Sequence, residues 1–430
     1  MSKNYATSAQ NAQQPVEIEP RDRPLLMGYE TAPELMRRIG LSVTGDRPFD
    51  QVVGSILADM LIGHGTGHAT AFSLHKANYT ALHRYHPLMT YTNVRRAMGG
   101  LDIMGLIEVE KGKSWKDGGR GKQSRCWASD LLIELAGDAP TLTPRVGPLL
   151  VLKDSEKNLI GFRDTDRTMR MERDIRDQNE AIASTVIRIE APDIVWVDGG
   201  FVTVPGLPKK NGRIGNTITI RTDLKALRRI GNNGSWTQGM RYYNHFCQGL
   251  PKARRQQLTF GGMPVTLLDF TASHPSILYA QAGAVMDGDP YEVPGFLRDD
   301  VKLALLILVN AANRHQAIEA MAFRIAQTEA ETDSETVAIR TDHREVVRRL
   351  FSAISERHEP IKGAFCTGIG TKLQYIEAEV IGAVMRAARK AGIVTLPVHD
   401  EVICTERDAG RVTDMMIESW VSKVGSFPGF

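Results

Sequence analysis

Two acidic residues set against strand-like apolar runs constrain the fold of this chain more than any other feature. Asp269 closes the run Val265-Thr-Leu-Leu and is followed by Phe270-Thr-Ala-Ser-His274. Asp400 stands in Ile393-Val-Thr-Leu-Pro-Val-His399-Asp400-Glu401-Val402-Ile403, where a polar triplet interrupts two β-branched runs. That pattern predicts a buried hairpin with the triplet at its turn. A carboxylate in such surroundings is costly unless something positive neutralises it. Two of them, from distant segments, suit a divalent cation, and hard oxygens select Mg²⁺ or Mn²⁺ over softer metals. A pair of such ions about 4 Å apart can clamp the attacking and leaving oxygens of an in-line phosphoryl transfer.

Between the two acids, Arg298-Asp-Asp-Val-Lys302-Leu-Ala-Leu-Leu306-Ile-Leu-Val-Asn310 predicts a helix with Arg298 and Lys302 on one face. Two cations at that spacing can hold a triphosphate. Upstream, Gln238-Gly-Met-Arg241 precedes Leu250-Pro251. In this order the four segments resemble those of the family A DNA polymerases, over about Ser235 to Glu406.

The resemblance implies an α+β fold: an antiparallel-sheet palm at 235–297 and 361–430, helical fingers at 298–360, and a reduced thumb-like region at 149–234. It implies a DNA polymerase without a proofreading exonuclease. Asp269 and Asp400 would hold two Mg²⁺ ions, with Glu401 beside them and the Phe270 carbonyl as a further ligand. Lys302 and Arg298 would take the triphosphate, Arg241 and His399 the primer end, and Lys372 and Gln374 the template or primer. The implied partners are DNA, with RNA as an alternative primer or template, and nucleoside triphosphates. Three positions depart from the family pattern: His274 stands where DNA-synthesising members carry Glu, Asn310 where they carry Tyr, and Leu306 where they carry an aromatic. Both His and Asn can hydrogen-bond a hydroxyl, so discrimination against ribonucleotides is expected to be poor.

Residues 1–24 are polar and rich in Gln, Asn and Pro, which predicts a disordered leader. Over 25–136, helices are expected at Pro33–Ile39, Phe49–Ile62, Ala71–Tyr85 and Thr90–Leu106. Strands at Leu106–Glu110 and Ser124–Ala128 then flank a basic loop. Helices followed by a basic hairpin describe a winged helix, in which a helix enters the major groove and the hairpin straddles the backbone. Lys111, Lys113, Lys116, Arg120, Lys122 and Arg125 would supply salt-dependent phosphate affinity. Three prolines and two glycines mark 137–148 as a linker. The charged stretch Arg163–Ile187 predicts an amphipathic helix, and Asp198-Gly-Gly200 between apolar runs predicts a hairpin.

The net charge of +3 is mild, so nucleic-acid affinity must come from local clustering. Cys126, Cys247, Cys366 and Cys404 are dispersed, which argues against a zinc site or a disulfide framework and for a reducing, cytoplasmic setting. No apolar stretch approaches a membrane span. Two rival readings stand beside the polymerase. One is a primase-like or terminal ribonucleotidyl transferase on the same fold, suggested by His274 and Asn310. The other is a catalytically inactive DNA-binding initiator or regulator, against which the intact carboxylates argue. Oligomeric state leaves no mark on the sequence.

Overall fold

Apolar residues at helical and strand spacing gather into three hydrophobic cores in sequence order, except that the middle core closes only with the C-terminal segment. The computed structural model describes residues 23–25, 28–41, 47–80, 84–112, 123–137, 142–145, 147–197, 201–208, 214–222, 224–333 and 341–426, forming a mixed α/β chain. Among them, no helix is long and apolar enough to cross a membrane.

The first core is built on the Arg47–Thr66 helix, whose Val52, Ile56, Leu57 and Met60 are buried. A four-stranded sheet lies beside it in the order Arg23–Pro24, Thr70–Phe72, Ser124–Ala128, Ile107–Glu110. The Tyr91–Ile103 helix is started by Thr90, whose hydroxyl accepts from the Asn93 amide. The expected helix over 71–85 does not form as one element. Thr70–Phe72 is instead a strand paired antiparallel with Ser124–Cys126. The Ser73 hydroxyl then accepts from the His75 amide at 3.0 Å and from Asn78 Nδ2 at 2.8 Å, a local turn that competes with helix. Among the described residues of this stretch, the α-helix is confined to Ala77–Thr80. Inside the stretch read as a linker, Leu142–Pro144 pairs antiparallel with Tyr29–Thr31 and returns the chain to this first unit.

Lys113, Lys116, Arg120 and Lys122 lie outside the described residues, as do residues 1–22 of the leader. Of the remaining loop cations, Lys111 is exposed. Arg125 is engaged locally: its guanidinium pairs with Glu110 at 2.9 Å and lies over the Trp127 ring.

The second core surrounds a five-stranded antiparallel sheet in the order Leu396–Val398, Glu401–Thr405, Met263–Asp269, Leu258–Phe260, Ile187–Ile189. A smaller sheet joins Ser235–Tyr243 and Arg228–Asn232 antiparallel, with Leu150–Leu152 parallel to the latter. The Gly370–Lys390 helix packs across Ser235–Tyr243 and against the Asp166–Ala183 and Ala409–Val424 helices. The expected hairpin around 198–200 pairs Val195–Val197 with Phe201–Val204, its tip lying outside the described residues. The third core is helical. Arg298–Asn310, Arg314–Asp333 and Thr341–Arg357 bury Val301, Leu305, Leu308, Met321, Phe351 and Ile354 between them.

Candidate active site

The strand Met263–Asp269 delivers Asp269 at its last position, directly opposite Glu401 on the neighbouring strand. His399 and Asp400 form the two-residue turn that joins Leu396–Val398 to Glu401–Thr405, with Val398 paired to Glu401. The turn requires His399 to adopt φ +61°. Two further non-glycine residues take the left-handed region beside the site: Met240 at φ +61°, before Arg241, and Ala272 at φ +51°, before Ser273. Such conformations are costly for residues with a Cβ, and they cluster where the surrounding structure must aim a side chain.

Four carboxylates meet here, and arginines engage two of them. Glu401, 4% exposed at its side chain, receives Arg255 Nε at 2.8 Å. Glu377, from the middle of the Gly370–Lys390 helix, is 1% exposed and takes Arg241 Nε and Nη2 at 2.6 and 2.8 Å. Burial alone would raise the Glu377 carboxyl, but His274 and Arg241 outweigh it and hold it below its ordinary range. The His274 Nε2 stands 3.4 Å from Glu377 Oε2, within ion-pair range but too poorly aligned for a hydrogen bond.

Asp269 and Asp400 are left without arginine partners. Like charges opposite each other on a sheet repel, and Lys252 relieves this on one side, its Nζ lying 3.0 Å from Asp269 Oδ2 and 3.4 Å from Glu401 Oε2. The other oxygen, Asp269 Oδ1, is buried without a hydrogen-bond partner among the described residues. Asp400 Oδ2 lies 3.1 Å from Ser273 Oγ, which is also 3.3 Å from Glu377. One hydroxyl carries one hydrogen, so it cannot donate to both carboxylates at once. The Asp400 carboxyl is pushed up to about 6, first by burial and then by Glu377 and Asp269.

Facing these acids across a cavity of about 590 Å³ is the Arg298–Asn310 helix. Asp269, Phe270, Asp400, Arg241 and His274 line the cavity from the strand side, and Arg298, Lys302 and Leu306 from the helical side. Arg298 is tethered to Asp289, Nε to Oδ2 at 2.6 Å. Tyr291 lies beside both cations, 5.0 Å from the Arg298 guanidinium carbon and 5.6 Å from Lys302 Nζ to the ring centre.

The other sequence-predicted residues stand outside this lining. Glu401 lies behind Lys252 and Arg255. Asn310 donates to the Leu306 carbonyl at 2.8 Å and turns toward Gly370, where an added Cβ would meet its Oδ1 at 2.0 Å. The His399 ring meets Tyr243 edge to face at 6.2 Å. Lys372 and Gln374 occupy the first turn and a half of the Gly370–Lys390 helix. Sequence reasoning missed Glu377, Ser273, Lys252, Arg255 and Tyr291. Glu377 alone carried a signal: it interrupts the apolar stripe of Leu373, Val380, Ile381 and Val384.

Among the described residues, no group of three or more His, Cys, Asp or Glu is arranged to hold a metal ion. What the site offers a cation is two carboxylates, one with an unpartnered buried oxygen and one with a raised affinity for protons. That donor set fits Mg²⁺, which keeps several waters and binds through one or two carboxylates plus substrate phosphates.

No protein-family model matches the chain, and no curated protein matches it. Among solved structures it is similar to the POL domain of Pol1 from M. smegmatis, described in complex with a DNA primer-template and dNTP, at 16% identity and a TM-score of 0.30. The match covers 51% of this chain and spans about half, 47%, of that one.

Proposed function

We propose that this chain is a template-dependent nucleotidyl transferase, a small DNA polymerase of the family A type without a proofreading exonuclease. One observation carries the reading: Asp269 and Asp400 share a cavity with Arg298 and Lys302, so acceptors for a metal ion face donors for a polyphosphate. In this reading the two aspartates hold Mg²⁺, with the Phe270 carbonyl as a further ligand. Bound Mg²⁺ supplies Lewis-acid stabilisation of the charge that develops in phosphoryl transfer. Lys302 and Arg298 bind and orient the triphosphate, Arg298 exchanging its contact with Asp289 for phosphate oxygens. Arg241 takes the primer end, with His399 beside it, and Lys372 and Gln374 meet the template or primer strand. Glu401 acts indirectly: it helps hold Lys252 beside Asp269 and is itself anchored by Arg255.

The N-terminal unit is proposed as a winged helix that grips duplex DNA. Its helix, strand, helix, helix, strand, strand order supports this, as does the placing of Ser124–Ala128 between its two sheet partners. Replacing Lys113, Lys116, Arg120 and Lys122 with Ala should reduce the salt slope of duplex binding by about 0.9 per lost phosphate contact. An unchanged slope removes the loop from the interface.

The reading is tested by incubating the protein and Mg²⁺ with labelled dNTPs or rNTPs on primed, unprimed and absent templates. Extension of the primed template is expected. Incorporation without a primer transfers the chain to the primase-like class, and no incorporation under any condition overturns the reading.

A further inference from the structure

Glu377 is buried at a place where the rest of its helix face is apolar: Leu373, Val380, Ile381 and Val384 share the stripe and are buried with it. A carboxylate there is expensive, and an equally sized apolar residue would pack without the penalty. Its contacts run in one direction only. Arg241 Nε and Nη2 grip its two oxygens at 2.6 and 2.8 Å, Ser273 Oγ lies at 3.3 Å, and His274 Nε2 at 3.4 Å. All three partners line the cavity, and Glu377 does not. They come from two separate segments, the strand Ser235–Tyr243 and the start of the Ser273–Gln281 helix. A left-handed residue precedes the contact in each: Met240, within the strand, stands before Arg241, and Ala272 stands before Ser273.

We infer that Glu377 is a positioning residue for the junction between primer end and incoming nucleotide: it fixes Arg241 so that the remaining guanidinium nitrogen, Nη1, is presented to the cavity as a donor at the primer end, against which the triphosphate must seat. This rests on the nucleotidyl-transfer reading and deepens it. The geometry behind it is the use of Nε and Nη2 by the carboxylate. Among the described residues, that leaves Nη1 without an acceptor on a side chain that lines the cavity. A guanidinium held at two nitrogens by a rigid carboxylate has little freedom left, so its third nitrogen is aimed before any ligand arrives. His274, beside the same carboxylate, adds an imidazole to that wall.

The test is a double-mutant cycle on the full chain. The readout is equilibrium binding of a fluorescent nucleoside triphosphate, with Mg²⁺, to a complex with chain-terminated primer-template, so no turnover is needed. Glu377→Gln and Arg241→Gln are each expected to weaken binding about tenfold, and the double variant no more than about twofold beyond the worse single. Primer extension by the same variants should show the loss mainly in KM, with kcat changed less than about threefold. Independent effects that multiply to about a hundredfold overturn the inference, because Glu377 would then not act through Arg241. Unchanged binding in a folded Glu377→Gln protein overturns it equally. Should Glu377→Gln not fold, Glu377→Asp keeps the charge, retracts it by one methylene and takes the same corner of the cycle. A wild-type protein that neither binds nor incorporates nucleotide overturns the nucleotidyl-transfer reading itself, an outcome separate from a failed cycle in an active enzyme.

Discussion

Behind the strand-side lining of the cavity, two carboxylates are dry and fixed: Glu401 and Glu377 are each exposed by 4% or less and held by Arg255 and Arg241. On the helical side Arg298 is 52% exposed, and its tether to Asp289 is an ion pair at the rim. Exposed pairs are worth about 0–1 kcal/mol, whereas breaking a buried one costs about 3–5 kcal/mol because a charge is left stranded. One wall is thus organised before any ligand arrives, and the other can change partners cheaply. A catalytic surface benefits from the first property and a surface that must admit and release a polyanion from the second.

The largest expected effect lies on the fixed wall. Asp269→Ala or Asp400→Ala should lower nucleotide incorporation by about a thousandfold or more while leaving DNA binding largely intact. Steady-state extension and a gel-shift titration check both halves, and full activity in either variant removes the site from these residues. Next comes a difference in stability between the walls. Arg255→Met should destabilise the fold by about 3–5 kcal/mol in denaturant titration, and Arg298→Met far less. Equal losses would erase the contrast. The Arg298 variant should instead pay through nucleotide affinity, raising KM about tenfold.

A smaller effect sharpens the picture of the dry side. His245 caps the turn that leads to Lys252 and Arg255, and burial, aided by Lys225, pulls its pKa from 6.5 down to about 3. The folded protein therefore holds it neutral while the unfolded chain takes up the proton, so its contribution is complete above about pH 6.5 and fades as pH falls toward 3. Between pH 6.5 and 5 this amounts to about 2 kcal/mol. Unfolding free energies at the two pH values should show that difference in the wild type and a flatter dependence in His245→Gln. An equal slope in both proteins would mean that water reaches the ring.

What the sequence made legible was local. The strand ending at Asp269, the hairpin around His399 and Asp400, and the helix Arg298–Asn310 each depend on alternation or helical spacing within a dozen or so residues, and each forms where the pattern puts it, except that Glu401, expected in the turn, opens the following strand. The partition of the four carboxylates was not legible, because the partner of Glu401 is Arg255 and that of Glu377 is Arg241, both far away in sequence. The same limit explains Ala71–Tyr85. Its composition permits a helix, but a strand partner at Ser124–Cys126 claims its first residues. Asn310 shows the complementary limit: it stands on the expected helix, and its side chain meets a close helix start at Gly370 that spacing does not reveal.

The pairing of Asp269 with Glu401 and of Leu268 with Val402 makes the chemistry a matter of reading frame as well as residue identity. Successive side chains on a strand face opposite ways, so losing a single residue between Glu401 and Thr405 would turn every later side chain to the other face. Both faces of Glu401–Thr405 are buried, so each displaced side chain would meet a space shaped for its neighbour, even though no charged residue had been changed. Tolerance to insertion and deletion should accordingly collapse across these two strands and recover beyond them, a profile that substitution scanning alone would not reveal.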